Sequence, residues 1–150
     1  VTDVNPFRLD LAMRMGASRA VDVRSEDIQH VQKDLGMLEG FDVALEMSGD
    51  PRALQDILDN TIHGANVALL GIPSEPFPID WTIVIFNMLN LKGIYGREMF
   101  DTWYKMSVLV QSGLDISPVI TQRFDAEEYE DAFTALQSSE SAKVLLRWSD

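Results

Sequence analysis

Along this chain short apolar runs closed by glycine alternate with explicit helix starts, and that alternation narrows what it can fold into. An Asx residue is followed by proline twice, at Asn5-Pro6 and Asp50-Pro51. Asn or Asp accepts from the orphan N–H groups of a first helical turn, and proline there gives up an N–H that had no partner. Apolar residues then recur at helical spacing: Phe7, Leu11 and Met15 ahead of Gly16, and Leu54, Ile57 and Leu58 after Pro51. Between the helices lie runs too short to be helical, such as FDVALEMSG at 41–49 and Ala65 to Leu70 before Gly71. A run of that kind is how a strand buried on both faces of a parallel sheet reads. Further strands are predicted around 1–3, 20–23, 90–95, 119–124 and 143–148, with helices at 26–35, 81–86, 98–111 and 125–136. Ile28, Val31 and Leu35 face inward in the first of these helices, and Asp125 with Glu128 forms the capping-box pair of the last. Strands that alternate with helices pair in parallel through right-handed crossovers, which makes this an α/β layered fold.

The 150 residues are 46% hydrophobic, enough to build a core and most compatible with one compact domain. Twenty-four acids against twelve bases leave a net charge of -12. Such a field repels nucleic-acid backbones and anionic lipid, so neither nucleic acid nor membrane is an expected partner. No apolar run approaches the roughly 18 residues that span a bilayer, and no charged-then-apolar leader opens the sequence, so a cytoplasmic protein is expected. Cysteine is absent, which removes disulfides, thiolate nucleophiles and thiolate zinc ligands. The two histidines, His30 and His63, stand far apart without partners at metal-ligand spacing, and no metal site is expected in this chain.

Candidate chemistry gathers where strands end. Asp3 is an acid between a strand and a helix, a position that in doubly wound nucleotide-binding sheets accepts from ribose hydroxyls. The same acid also suits a surface turn beside a helix dipole. Arg8 lies in the first turns of that helix, where it could cover an adenine face, reach a phosphate or simply pair with a nearby acid. In LLGIP (69–73), Gly71 carries no Cβ, so backbone can approach a flat ligand, with Leu70 and Ile72 beside it. Ile94-Tyr95-Gly96 repeats the arrangement at the next strand end, and Glu46-Met47-Ser48-Gly49 supplies a third. His63 reads as the cap of a helix end, with Gly64 making the turn. Trp81, Trp103, Tyr104 and Trp148 read as core or interface aromatics. Met13, Met15, Met88, Met99 and Met106 read as packing.

With these residues in view the sequence resembles the L-threonine 3-dehydrogenases, a branch of the zinc-dependent medium-chain dehydrogenase/reductase family. The resemblance runs through TDVNPFRL, FDVALEMSG, LLGIP, IDWT, LKGIYGREMF, WYKM, SGLDISPVIT and KVLLRW, and so over essentially the whole chain. It implies a Rossmann-like doubly wound parallel sheet lacking its first strand and glycine-rich turn. Residues 1–117 would form a partial dinucleotide-binding domain, and 118–150 a strand-helix-strand tail returning to the catalytic domain. It further implies NAD as cofactor. Asp3 would take the adenosine ribose, Arg8 the adenosine side, and Leu70, Gly71, Ile72, Ile94 and Tyr95 the nicotinamide end. An acid at position 3 also disfavours the 2′-phosphate of NADP.

By the same resemblance the full-length reaction converts L-threonine and NAD to 2-amino-3-oxobutanoate and NADH, with zinc as Lewis acid. The family's glycine-rich turn, its zinc ligands and its proton-relay histidine have no counterpart in these residues, so the chain alone is expected to be inactive. HGAN (63–66) also departs from the family's HGG followed by a basic residue. The family's first strand, absent here, would lie mid-sheet between the strand at 1–3 and the one ending at Gly49, and its loss would leave two facing rows of N–H and C=O groups unpaired. A homo-oligomer is expected, a dimer through the strand near Leu91–Ile94, with a tetramer in the family. Two other readings stay open: a non-catalytic nucleotide-binding or dimerisation module, and a methyltransferase, whose fold also places an acid after the second strand.

Overall fold

Four of the six α-helices among the described residues start on a side-chain cap. In a computed structural model, which describes residues 1–148, Asn5 Oδ1 accepts from the Phe7 N–H at 2.9 Å. The helix α1, Pro6–Arg14, follows, and Gly16 leaves it with φ +94°. Asp27, Asp50 and Asp80 play the same part for α2 (Ile28–Asp34), α3 (Pro51–Asp59) and α4 (Trp81–Phe86), each accepting from the N–H two residues on. α5 spans Asp101–Gln111. The Asp125/Glu128 capping box is present, closing a 3₁₀ turn that runs into α6, Tyr129–Leu136.

Between them lie β1 (Thr2–Asp3), β2 (Val21–Asp22), β3 (Phe41–Glu46), β4 (Thr61–Leu69), β5 (Asn90–Gly93), β6 (Ile120–Asp125) and β7 (Lys143–Arg147). The order is the alternation that the sequence predicts, and every strand pair is parallel. Among the described residues three hydrogen-bonded sheets result, ordered β1-β2, β3-β4-β5 and β6-β7. β1 and β3 therefore belong to different sheets.

The chain divides into two units, one of Val1–Glu26 with the chain from Glu98 onward, the other of Asp27–Arg97. In the second unit α3 lays Leu54 and Leu58 against Ala65 of β4 and Leu89, with Ile62, Leu69, Phe77 and Ile83 closing round them. Leu58 and Val67 are almost wholly buried. In the first unit the buried apolar residues are Leu11, Val21 and Ala132. Asn5 Nδ2 there donates to the Ser139 carbonyl at 2.7 Å, tying the start of α1 to the segment between α6 and β7.

Several expectations are corrected. FDVALEMSG is not buried on both faces: β3 is an edge strand, with Val43 61% and Leu45 63% exposed. His63 caps no helix. α3 ends at Asp59 with Asn60 as its cap, and β4 begins at Thr61, so His63 lies within the strand. The register advances irregularly there, from Phe41↔Thr61 to Val43↔Asn66, and Gly64 at φ +77° belongs to that irregularity. Leu35 is exposed, whereas its helix mate Val31 is buried. Trp81, Trp103, Tyr104 and Trp148 are exposed and not core, as are Met13, Met88, Met99 and Met106. α5 starts at Asp101 and not Glu98 because Phe100, at φ +66°, breaks the helical backbone.

The α3–β4 contact sets a measurable contrast. Leu58→Ala removes a buried side chain from the second unit and is expected to cost about 3 kcal/mol in urea unfolding. Leu38→Ala, at a residue 80% exposed, should stay within about 0.5 kcal/mol of the wild type. Equal effects at the two positions would contradict this placement of the core.

Candidate functional site

The first unit carries Asp3, the last residue of β1, and Arg8, in the first turn of α1. One Asp3 oxygen, Oδ1, accepts from the N–H groups of Val4 and Asn5 at 2.7 and 2.8 Å. These bonds fold the strand end into the turn that leads to α1 and aim the carboxylate. Asp3 Oδ2 faces the Arg8 guanidinium at 4.0 Å, with Arg8 more than half exposed. The nearby acid with which Arg8 pairs is Asp3. Across the parallel register Asp3 neighbours Asp22. Arg24 grips that second acid through Nε at 2.9 Å and Nη2 at 2.6 Å, and its N–H donates as well. The Arg24 side chain, then its N–H, hold the Asp22 carboxyl down to about 2, so it stays ionised.

The second unit carries Leu70, Gly71, Ile72, Ile94 and Tyr95. Leu70 and Gly71 leave β4 under restraint, both donating their N–H groups to the Glu46 carbonyl of β3, at 2.9 and 3.1 Å. Ile94 leaves β5 with its N–H on the Leu69 carbonyl at 2.8 Å, so the ends of β4 and β5 lie side by side. Ile72 and Tyr95 are 79% and 94% exposed, apolar and aromatic surface standing clear at the strand ends. A shallow apolar groove of about 250 Å³ between α3 and residues 77–79 contains none of these residues, and it is small for a ligand of dinucleotide size.

Gly71 turns out to be demanded by the protein itself. A Cβ there would run into the Gly49 nitrogen and Glu46 Oε2. Gly49, at φ +74°, is held as closely, since a Cβ on it would lie 2.5 Å from the Ile72 carbonyl oxygen. Gly93 and Gly96 have nothing within 4 Å of the same position. The two strand-end loops therefore interlock. At the third strand end named in the sequence, Glu46-Met47-Ser48-Gly49, the participant is the Glu46 side chain, which is buried. Its signal was a charged residue inside an apolar run, with Ser and Gly two and three positions later.

The zinc-binding dehydrogenase family model matches residues 1–112. The chain belongs to the zinc-binding dehydrogenase family. It is 58% identical over 148 residues to the L-threonine 3-dehydrogenase of Solibacter usitatus, and 57% identical over 150 to that of Pectobacterium carotovorum. These matches cover 99% and 100% of this chain but only 43% and 44% of the relatives, so it spans less than half their length. Among solved structures, an alcohol dehydrogenase from Thermotoga maritima superposes with a TM-score of 0.87 at 26% identity, over 99% of this chain and 42% of that one. The 2R,3R-butanediol dehydrogenase of Bacillus subtilis, at 23% identity, shares the fold with a TM-score of 0.86, over 97% of this chain and 42% of its own. The zinc-binding dehydrogenase chain thus has the α/β parallel-sheet fold expected of it, in a Rossmann-type setting.

Zinc itself does not fit the residues described. Among them no three His, Asp or Glu side chains converge as metal ligands, and the chain has no cysteine. Nor is any helix among the described residues long and apolar enough to cross a membrane.

The interlocked glycines give a local test. Gly71→Ala should destabilise the second unit by about 1–3 kcal/mol, since backbone must move to admit the methyl group. Gly93→Ala, where the space is open, should change urea stability by well under that amount. Indifference at Gly71 would mean that the loops are not in contact.

Proposed function

We propose that this chain supplies cofactor-binding surface to an NAD-dependent L-threonine 3-dehydrogenase, which converts L-threonine and NAD to 2-amino-3-oxobutanoate and NADH. The observation that carries the reading is the Asp3 carboxylate. It sits at the end of β1 with Oδ1 committed to backbone and Oδ2 turned to Arg8, leaving lone pairs for a vicinal pair of hydroxyls. A ribose supplies such hydroxyls, and an ionised acid repels the 2′-phosphate of NADP. Arg8 takes the adenosine side. Leu70, Gly71, Ile72, Ile94 and Tyr95 form an apolar rim for the nicotinamide end, excluding water from one face of the ring. When bound, NAD supplies the hydride acceptor.

The activity of the family relatives is a property of proteins more than twice this length, and no chemical step is assigned here to zinc. This chain by itself binds and orients; it does not turn over threonine. Residues 1–117 belong to the dinucleotide-binding part and 118–150 to a tail that serves the rest of a longer enzyme. The protein acts in the cytoplasm, with NAD and, in the longer enzyme, L-threonine as its small-molecule partners.

Titration with NADH, read by its fluorescence, tests the assignment. Binding is expected for the wild-type chain, and Asp3→Asn should weaken it by about tenfold, the loss of a charge-assisted hydrogen bond. Absorbance at the NADH band should show no threonine oxidation. Wild-type affinity retained by Asp3→Asn would remove Asp3 from the site, and no binding at all would favour a module that only assembles.

The partner reading rests on β5, which pairs with β4 on one side and forms the outer edge of its sheet. An edge strand of this kind suits isologous pairing with a second copy. Light scattering should give about twice the 16.9 kDa chain mass. A strict monomer at high concentration would rule the pairing out.

A further inference from the structure

We infer that Glu46 is a positioning residue whose carboxylate fixes the loop after β3, on which Gly71 of the loop after β4 packs, and thereby sets the rim offered to the nicotinamide half of the dinucleotide. The inference rests on the cofactor reading above. Glu46 ends β3 and is only 5% exposed. Its Oε1 accepts from the Ser48 N–H at 2.8 Å, the Ser48 hydroxyl at 2.6 Å and the Gly49 N–H at 2.9 Å. Its Oε2 is 3.1 Å from the same Gly49 nitrogen. The main-chain carbonyl of the same residue receives the N–H groups of Leu70 and Gly71. A single residue thus gathers donors from two loops that are far apart in sequence.

The chemistry calls for an ionised acid. The neighbouring groups are N–H and O–H donors, and a carboxylate presents two acceptor atoms and no donor. An amide in its place would aim an NH₂ group at the Gly49 N–H or at the Gly71 backbone, whichever way it turned. Gly71 leaves no slack for that turn, since its Cα packs where any Cβ would strike Oε2. The main chain from Leu70 to Ile72, three of the five rim residues, therefore packs at Gly71 and Ile72 on a loop that this carboxylate shapes, while the Glu46 main-chain carbonyl holds Leu70 and Gly71.

The whole 150-residue chain, its Glu46→Gln variant and its Ser48→Ala variant are each titrated with NADH and with ADP-ribose, which lacks the nicotinamide. Glu46→Gln should weaken NADH by about tenfold while leaving ADP-ribose within about twofold, because only the nicotinamide end depends on the lock. Ser48→Ala, which keeps the charge and the backbone donors, should weaken NADH by about threefold. Backbone amide exchange supplies a second readout: in Glu46→Gln the Ser48 and Gly49 amides should exchange about tenfold faster, with Val67 unchanged. Glu46→Gln binding NADH as the wild type does would overturn the inference and leave the cofactor reading standing. Equal loss of both ligands with faster exchange at Val67 would also overturn it, as general loosening. If the wild type binds neither ligand, the cofactor reading falls and the rim role with it, and unchanged exchange at Ser48 and Gly49 would then sink the lock as well.

Discussion

Parallel strands cannot be joined by a tight turn, so every strand pair in this chain depends on a helix that carries the backbone to the start of the next strand. α3 shows what that requires. Asp50 caps it, Pro51 starts it, and Leu54 and Leu58 turn it onto β4, so the strand it returns to is also the strand it packs on. α6 does the same between β6 and β7 with the smaller Ala132. One consequence is directional. Each crossover begins at the carboxyl end of a strand, where Asp3 stands in the first unit and, separately, Glu46 and Gly71 stand in the second.

That dependence explains what was legible in the sequence. Helix starts are local chemistry, because an Asn or Asp side chain reaches only to the N–H two residues on, and so Asn5, Asp50 and the Asp125/Glu128 box could be read directly. The seven strands among the described residues, and their parallel sense, follow from the alternation. Burial did not follow. Val43 and Leu45 have the apolarity of a doubly covered strand, yet coverage is decided by what lies alongside β3, which its own letters do not record. His63 was misplaced for a related reason: the strand begins before the irregularity at Gly64, and a glycine at φ +77° reads the same whether it ends a helix or bends a strand.

The candidate site divides the same way. Asp3, Arg8 and the glycines at strand ends are visible as types at positions. The pairing of Arg8 with Asp3, and of Arg24 with Asp22 beside it, sets how much of each acid remains available, and that is a property of distances. Glu46 was the least legible, since its bonds reach back to its own loop and across to the next.

α5 leaves its whole length in water. Every residue from Asp101 to Gln111 is exposed, including Trp103, Tyr104, Met106 and Leu109. Hydrocarbon that is already hydrated in the folded state adds nothing to the heat-capacity increment when the chain melts. This protein therefore has a flatter stability curve than a domain of its length whose apolar helices are all covered, and its cold unfolding is pushed to lower temperature.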